Sequence, residues 1–323
     1  MVPGPEHHGV VRHGLTVAGL LRDQQVEVTV VRGLEQPAGP VDVTHVQFTD
    51  ALFGPDVGAA ADAFVAWAAT AARPLVVTLH DVPGADADPL RDARRRLGYA
   101  RVLASADAAV VSSEHEATGA RLAHHLHPVV IPLPVEPLAL PGPRPAWAAT
   151  PTVGVLGFLY PGKGHAEALE CVAQVARVTH RPARVVAIGA VSPGHEPLLH
   201  DLYRQADGLG VELHVTGPLS EADLHAAAHA VTVPLAAYRT IGASASLTTW
   251  LAAGRRAVAT DSAYARELQT RWPNSLLLPT GGLDQAVAGA LEHPWTTWLD
   301  KTPARPDVGR AHLELFDRLL VPA

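Results

Sequence analysis

Lys163 sits near the end of the run VGVLGFLYPGKG (Val153–Gly164), where an apolar segment passes at once into glycines, a proline and one ammonium. Val153, Val155 and Leu156 have the pattern of a buried parallel strand, and a helical stretch, His165–Val178, follows the loop. A strand that feeds the N-terminus of a helix through a glycine-rich turn presents free backbone N–H groups and the positive end of a helix dipole. With Lys163 added, that is chemically a phosphate site. The same residues would also serve as a tight strand-to-helix turn with an exposed lysine. A second turn of this kind lies in YRTIGASASLTTWLAAGRRAVATDS (Tyr238–Ser262), where Gly242–Ser246 is small, flexible and hydroxyl-rich and leads into a helix over Leu247–Ala253. Two loop-to-helix turns on one sheet edge favour anion binding over two plain turns.

Other chemistry-bearing residues fall at the ends of apolar runs. Gly9 stands at a helix start, His80 and Asp81 follow the buried run PLVVTLH (Pro74–His80), and Ser112, Ser113 and Glu114 follow AAVVS (Ala108–Ser112). His80 would donate a hydrogen bond to a ligand or bond a loop carbonyl. Among the eighteen histidines, His7-His8, His124-His125 and His127 cluster, but none has HExxH spacing or a nearby acid pair, so a metal site is not expected.

The elements that must position these residues alternate. An apolar helical stripe from Gly9 to Leu21 is followed by expected strands over Val26–Val31 and Val41–Phe48, a helix over Asp56–Ala72, and a strand over Pro74–His80. A helix over Leu90–Ser105, a strand over Ala108–Ser112, a helix over Glu114–His124 and a strand over Pro128–Ile131 complete the first half. The proline-rich stretch Pro132–Pro151 reads as an extended linker. Beyond it, strands over Val153–Leu156, Arg184–Ile188, Val211–Thr216, Ala230–Pro234 and Ala257–Thr260 are separated by helices over His165–Val178, His195–Ala206, from Ser220 and over Leu247–Ala253. This is α/β with parallel sheets wound on both faces, whose ligands belong outside the carboxyl ends of the strands. The order carries one anomaly. An α/β domain begins with a strand, whereas here a helix comes first, so the first domain either lacks its innermost strand or starts upstream of Met1.

The 323 residues suffice for two domains, and 48% hydrophobic with 18% charged residues allows real cores. The formal net charge is −7, and RDARRR (Arg91–Arg96) is a single short basic helix face, which disfavours nucleic acid as the main partner. One cysteine, Cys171, excludes an internal disulfide and a thiolate–metal cluster. No signal-peptide pattern or apolar span of roughly 18 residues stands out, so a cytoplasmic location is expected, with contact at a membrane surface left open.

Taken in order, several segments resemble the family-4 glycosyltransferases of the GT-B fold, in an actinobacterial version. HGVVRH (His8–His13) is similar to that family's GGVERH, VVTLHD (Val76–Asp81) to its strand with a terminal histidine, and SADAAVVSSEHE (Ser105–Glu116) to ADxVIxxSxxE. VVIPLPVEP (Val129–Pro137) resembles VIPxGVD, GFLYPGKG the donor loop G-x-x-x-x-K-G, LHVTGPLSEADL (Leu213–Leu224) VxFxGxLxxxEL, and LAAGRRAVATD (Leu251–Asp261) MACGxPVVAxD. VGRAHLELFDRL (Val308–Leu319) resembles the final helix that packs back on the first domain.

The resemblance implies two Rossmann-like domains facing each other across a cleft. These are an acceptor-side domain over 1–134, a linker over 135–151, a nucleotide-sugar domain over 152–304 and a returning helix over 305–323. It implies transfer of a sugar from a nucleotide-diphosphate donor with retention of configuration, no metal or other cofactor, and an acceptor and oligomeric state that the sequence does not specify. His80 would face the transferred sugar, and Lys163 would neutralise the departing diphosphate. Gly9, Arg12, Gly157 and the Gly242–Leu247 backbone would lie along the donor, and Ser244, Ser246, Leu247, Thr248 and Thr249 belong to the same set. The chain departs from the family pattern at Phe158, where an arginine is usual, and at Ile241 and Thr249, where the family carries glutamates spaced E-x7-E. Thr249 offers at most one weak hydrogen bond. Arg239 would restore the charge missing at Phe158, and Ser244, Ser246 and Thr248 part of the donor contacts. These departures keep a second reading in play, a catalytically silent homologue that binds a sugar nucleotide or assists a partner transferase. An epimerase or phosphorylase of similar fold would need added carboxylates or a pyridoxal phosphate lysine, and no sequence feature asks for either.

Overall fold

The computed structural model describes residues 1–5, 8–83, 88–124, 127–180, 182–239 and 242–321. The chain forms two compact units, Met1–Pro134 with Pro306–Ala323, and Val135–Arg305. The first contains α1 (Gly9–Asp23), β1 (Thr44–Phe48), α2 (Asp50–Phe53), α3 (Val57–Ala68), β2 (Leu75–Leu79), α4 (Pro89–Ala104), β3 (Ala108–Val111), α5 (Glu114–His124) and β4 (Val129–Val130). Its sheet is parallel, in the order β1-β2-β3-β4. β2 reads LVVTL and is buried at every position, as a strand covered on both faces must be. Phe48, Phe53, Phe64 and Tyr99 pack as tilted and edge-on rings under that sheet.

The expected strand over Val26–Val31 carries no ladder. The segment keeps a period-two exposure, with Val26 and Val28 leaning on the core. Val2 N–H donates to Val31 O (3.0 Å), and Gln47 N–H donates to Met1 O (3.1 Å), so Met1 and Val2 occupy the lane between residue 31 and β1. Burial lowers the Met1 ammonium to about 6. The neighbouring expected strand begins at Thr44 rather than Val41.

The second unit begins with the proline-rich stretch. Val135 is buried in its core, Trp147 packs against it, Gly142 N–H donates to Ala222 O (2.9 Å), and Ala146–Ala149 forms a 3-10 turn. Then come β5 (Thr152–Leu156), α6 (His165–Thr179), β6 (Arg184–Ile188), α7 (Glu196–Leu209), β7 (Glu212–Val215), α8 (Glu221–Ala230), β8 (Val233–Ala236), α9 (Ala245–Ala252), β9 (Ala257–Ala259), α10 (Ala263–Arg271), β10 (Leu276–Leu277) and α11 (Leu283–Glu292). All six strands are parallel, in the order β10-β9-β8-β5-β6-β7. The strand expected over Ala230–Pro234 is displaced. The alanines of α8 carry the helix through Ala230, and β8 starts only at Val233. Cys171 is buried in α6, and burial pushes its thiol up to about 12.

One side chain ties this unit together. Arg255 is 1% exposed. Its guanidinium donates to the carbonyls of Ala228, His229, Val231, Thr232 and Thr297 and to Thr297 Oγ1, and it lies 4.1 Å over the Trp298 ring. It thereby joins the end of α8, the entry to β8 and the turn Pro294–Thr297 to the segment between α9 and β9.

The chain returns to the first unit as α12 (Val308–Leu320), which packs on α1. The backbones approach closely there, because a Cβ on Gly309 would stand 2.6 Å from Leu20 O. No helix among the described residues is long and apolar enough to cross a membrane.

Candidate functional site

In the second unit, the loop after β5 and the loop before α9 meet at Lys163. Its ammonium donates to Ser246 Oγ (3.0 Å) and to Tyr238 Oη (3.4 Å), and it lies 4.5 Å from the centre of the Tyr238 ring. Lys163 is 6% exposed, and no carboxylate pairs with it among the described residues. Ser244 caps α9, accepting from Leu247 N–H (3.3 Å) while its hydroxyl donates to Tyr238 Oη (3.2 Å). The first N–H groups of α9 and the Lys163 charge are therefore gathered at one place.

Backbone shape makes the room. Gly157 has φ +117°, and a Cβ there would stand 2.7 Å from Ser246 Oγ and 3.1 Å from Lys163 Nζ. Gly189, at φ +145°, is constrained in turn, because its Cβ would come 2.3 Å from Gly157 O. Only glycine fits these positive-φ, crowded positions without strain. A buried ammonium without a counter-charge is costly, and a helix N-terminus beside it adds positive potential. The pair is chemically an anion receptor.

Other sequence-predicted residues are placed differently. Arg239 stands on the second unit's surface rather than in the Lys163 cluster. It is 73% exposed and pairs with Glu167 of α6 at 2.7 Å, because that carboxylate lies in the first turn of the neighbouring helix. Thr248 and Thr249 both donate to Ala245 O (3.0 and 2.8 Å), so each hydroxyl proton is directed to its own helix and the lone pairs remain as acceptors. Leu247 is buried and contributes its peptide N–H to the cap. Gly242 lies at the entry to this loop, and Ile241 falls outside the described residues, as do His7 and His125. Two participants were not singled out in the sequence. Tyr238 supplies the hydroxyl and ring around Lys163, and its only signal was an aromatic residue following a buried strand. His165, the first residue of α6, is buried with neither ring nitrogen bonded, and burial next to Lys163 lowers it to about 3. His165 also lines a cavity of about 160 Å³ with Tyr160, Gly162, Glu167 and Arg239.

The first unit holds the remaining candidates. His8 caps α1 through Nδ1, accepting from Val10 N–H (3.2 Å), with Gly9 as the first helical residue and Arg12 exposed in the first turn. His80, at the end of β2, bonds Gln47 Oε1 through Nε2 (2.8 Å), and its ring meets His13 edge-on at 5.2 Å. The Gln47 amide reaches His45 Nε2 (3.3 Å), which also bonds Thr78 Oγ1 (2.7 Å). With Gln47 Oε1 as the acceptor, the His80 proton is assigned to Nε2 and Nδ1 is left as an acceptor. Burial lowers His80 to about 4, with His8 adding to the effect. Among the described residues no three His, Cys, Asp or Glu side chains converge as a metal-ligand set.

Residues 150–295, which hold the Lys163 site, match the family described as Glycosyl transferases group 1. No curated protein sequence matches the chain. Among solved structures, HepE of Anabaena in complex with UDP and glucose is similar over 97% of this chain and 79% of its own, at 16% identity and a TM-score of 0.61. Sucrose-phosphate synthase of Thermosynechococcus elongatus is similar over 86% and 69%, at 16% identity and 0.59. A UDP-forming α,α-trehalose-phosphate synthase of Burkholderia vietnamiensis is similar over 76% and 63%, at 14% identity and 0.54. The fold is GT-B, with two Rossmann-like α/β units.

Proposed function

We propose that this chain is a glycosyltransferase that moves a sugar from a nucleotide-diphosphate donor to an acceptor with retention of anomeric configuration. One observation carries the reading. Lys163 is a buried ammonium without a carboxylate, held by Ser246 and Tyr238 at the N-terminus of α9. A diphosphate seated there meets the lysine charge and the helix N–H groups, and both become more favourable as the leaving oxygen gains charge. That is the part a divalent metal would otherwise play, so the reading is metal-independent. The bond from the anomeric carbon to the phosphate oxygen breaks, the acceptor oxygen bonds to the same face of that carbon, and the departing phosphate takes the acceptor's proton. His80, uncharged at neutral pH, accepts a hydrogen bond from a sugar hydroxyl through Nδ1. A cytoplasmic location fits a soluble donor of this class.

The match over residues 150–295 and the UDP and glucose bound by HepE support the donor class. The test is a thermal-shift series with UDP-, GDP-, ADP- and dTDP-sugars, with and without EDTA, followed by assay of released nucleotide. A shift of several degrees with one nucleotide, unaffected by EDTA, together with donor consumption is the expected result. No shift with any nucleotide sinks the reading.

A second reading has its own observation. Ile241 and Thr249 stand where the resembling family carries its two glutamates, so the carboxylate grip on donor sugar and ribose usual there is missing. A silent homologue would bind nucleotide sugar and release none.

A further inference from the structure

The edge of the second unit's sheet carries a groove that the Lys163 site does not use. β10 is the edge strand, and between it and α11 lies a cavity of about 630 Å³. That volume falls within the range of small-molecule sites. Leu277, Leu278 and Pro279 form one wall. Ala286, Gly289 and Ala290, on one face of α11, form the other. At one end stands Arg256, beside His293 and Thr296. No carboxylate lines the cavity among the described residues, in a chain with 32 Asp and Glu against 25 Lys and Arg. Arg256 is half-buried. Its Nη1 donates to Thr296 O (3.2 Å), its Nε is buried with no hydrogen-bond partner, and no carboxylate pairs with it among the described residues. A guanidinium with unused donors beside apolar walls is costly until an anion takes them.

We propose that this groove binds a carboxylate with an unbranched apolar tail, its head on Arg256 and its tail between the Leu277–Pro279 wall and α11. Three arguments select this ligand. The strand edge is closed to a partner strand, because the Gln269 amide takes both backbone groups of Leu276 (Leu276 N–H to Oε1, 3.1 Å; Nε2 to Leu276 O, 3.2 Å) and Pro279 has no N–H. One guanidinium balances one charge and its fork matches a planar carboxylate, which favours that head over a phosphate dianion. From His293 to Gln285 the lining face of α11 runs about 12 Å at the rise of a helix, the reach of about ten carbons, and the walls along it are apolar. The inference does not rest on the transfer reading.

The test is isothermal titration of the full chain with hexanoate, octanoate, decanoate and dodecanoate, and with 1-octanol as the uncharged counterpart of octanoate. Binding is saturable and one-to-one. Affinity rises about tenfold for each pair of carbons up to decanoate, as buried methylenes require, and levels off at dodecanoate, which outruns the groove. Octanoate binds about tenfold tighter than 1-octanol. A Cβ on Gly289 meets nothing within 4 Å, so Gly289→Leu fills the groove from the helix side without strain and abolishes binding of both. Its unliganded thermal midpoint stays at or above the wild-type value, because leucine is the better helix former, and reports that the variant is folded. Arg256→Met weakens octanoate about tenfold and leaves 1-octanol unchanged, whereas Arg204→Met, on exposed α7, changes neither. Gly289→Leu decides the matter even where Arg256→Met fails to fold. No saturable binding of any carboxylate, equal affinity for octanoate and 1-octanol, affinity that climbs undiminished to dodecanoate, or binding indifferent to Gly289→Leu overturns the inference.

Discussion

Replacing Lys163 with methionine keeps most of the stem volume and removes the charge, and the structure predicts opposite signs for two readouts. A diphosphate oxygen seated near Nζ, at about 4 Å and an effective dielectric of about 20, gains roughly 4 kcal/mol from the ammonium. Loss of that contact lowers donor turnover by about a thousandfold and erases most of the nucleotide-induced thermal shift. In the free protein the same substitution removes a buried cation that no carboxylate balances. It recovers on the order of 1 kcal/mol, so the unliganded midpoint rises by about 2 °C. Ser246 Oγ and Tyr238 Oη lose one donor but remain linked through Ser244 and the cap of α9. The assay pairs differential scanning fluorimetry, with and without the nucleotide found for the wild-type chain, with measurement of nucleotide release. Arg204→Ala serves as a charge-loss control. A Lys163→Met chain that keeps the nucleotide shift, or that unfolds earlier than wild type while losing it, refutes the argument, because the lysine would then be a structural support.

Gly157→Ala forces a Cβ into Ser246 and Lys163 at a positive φ. It costs about 1–3 kcal/mol of stability by urea unfolding and abolishes the nucleotide shift. Arg255→Met strips several buried carbonyls of their donor and destabilises the chain by about 3 kcal/mol or more, read from the urea midpoint. Acid weakens the first unit through His13, His45, His80 and His312, all lowered chiefly by burial. Above the unfolded value of about 6.5 both states are neutral and these groups contribute nothing. As pH falls from there toward about 4, the folded value of His80, the unfolded state binds protons that the folded state refuses, and stability drops by a few kcal/mol. Midpoints measured from pH 7 to pH 4 fall steadily in the wild-type chain, and less steeply in His45→Gln.

Much of this architecture was legible because burial on both faces writes continuous apolar runs, as in LVVTL and TVGVL, and because glycines and a lysine after such a run have few other uses. Three things were not. Val26–Val31 has the alternation of a strand, but a ladder depends on a partner strand that alternation does not reveal, and its one backbone contact of this kind is Val2 N–H to Val31 O. The boundary between α8 and β8 hinges on whether Ala230–Thr232 continues a helix or opens a strand, and local preference favours helix until the chain must turn. From Ala263 to Ala304 no elements were assigned, yet α10, β10 and α11 are there, the strand being only two residues long. At the site, the side-chain partners were not legible. Arg239 chose Glu167, which lies 72 residues earlier in the chain, and the threonines chose Ala245 O, neither of which spacing reveals.

The single cysteine has a practical consequence. With its thiol buried in α6 and pushed up to about 12, Cys171 carries almost no thiolate at neutral pH and is shielded from maleimides. The unmodified chain is therefore a silent background for thiol labelling. An exposed cysteine introduced at Ala93 in the first unit and another at Arg204 in the second would be the reactive pair, and dyes attached there would report the separation of the two units before and after nucleotide is added, without first deleting a native thiol.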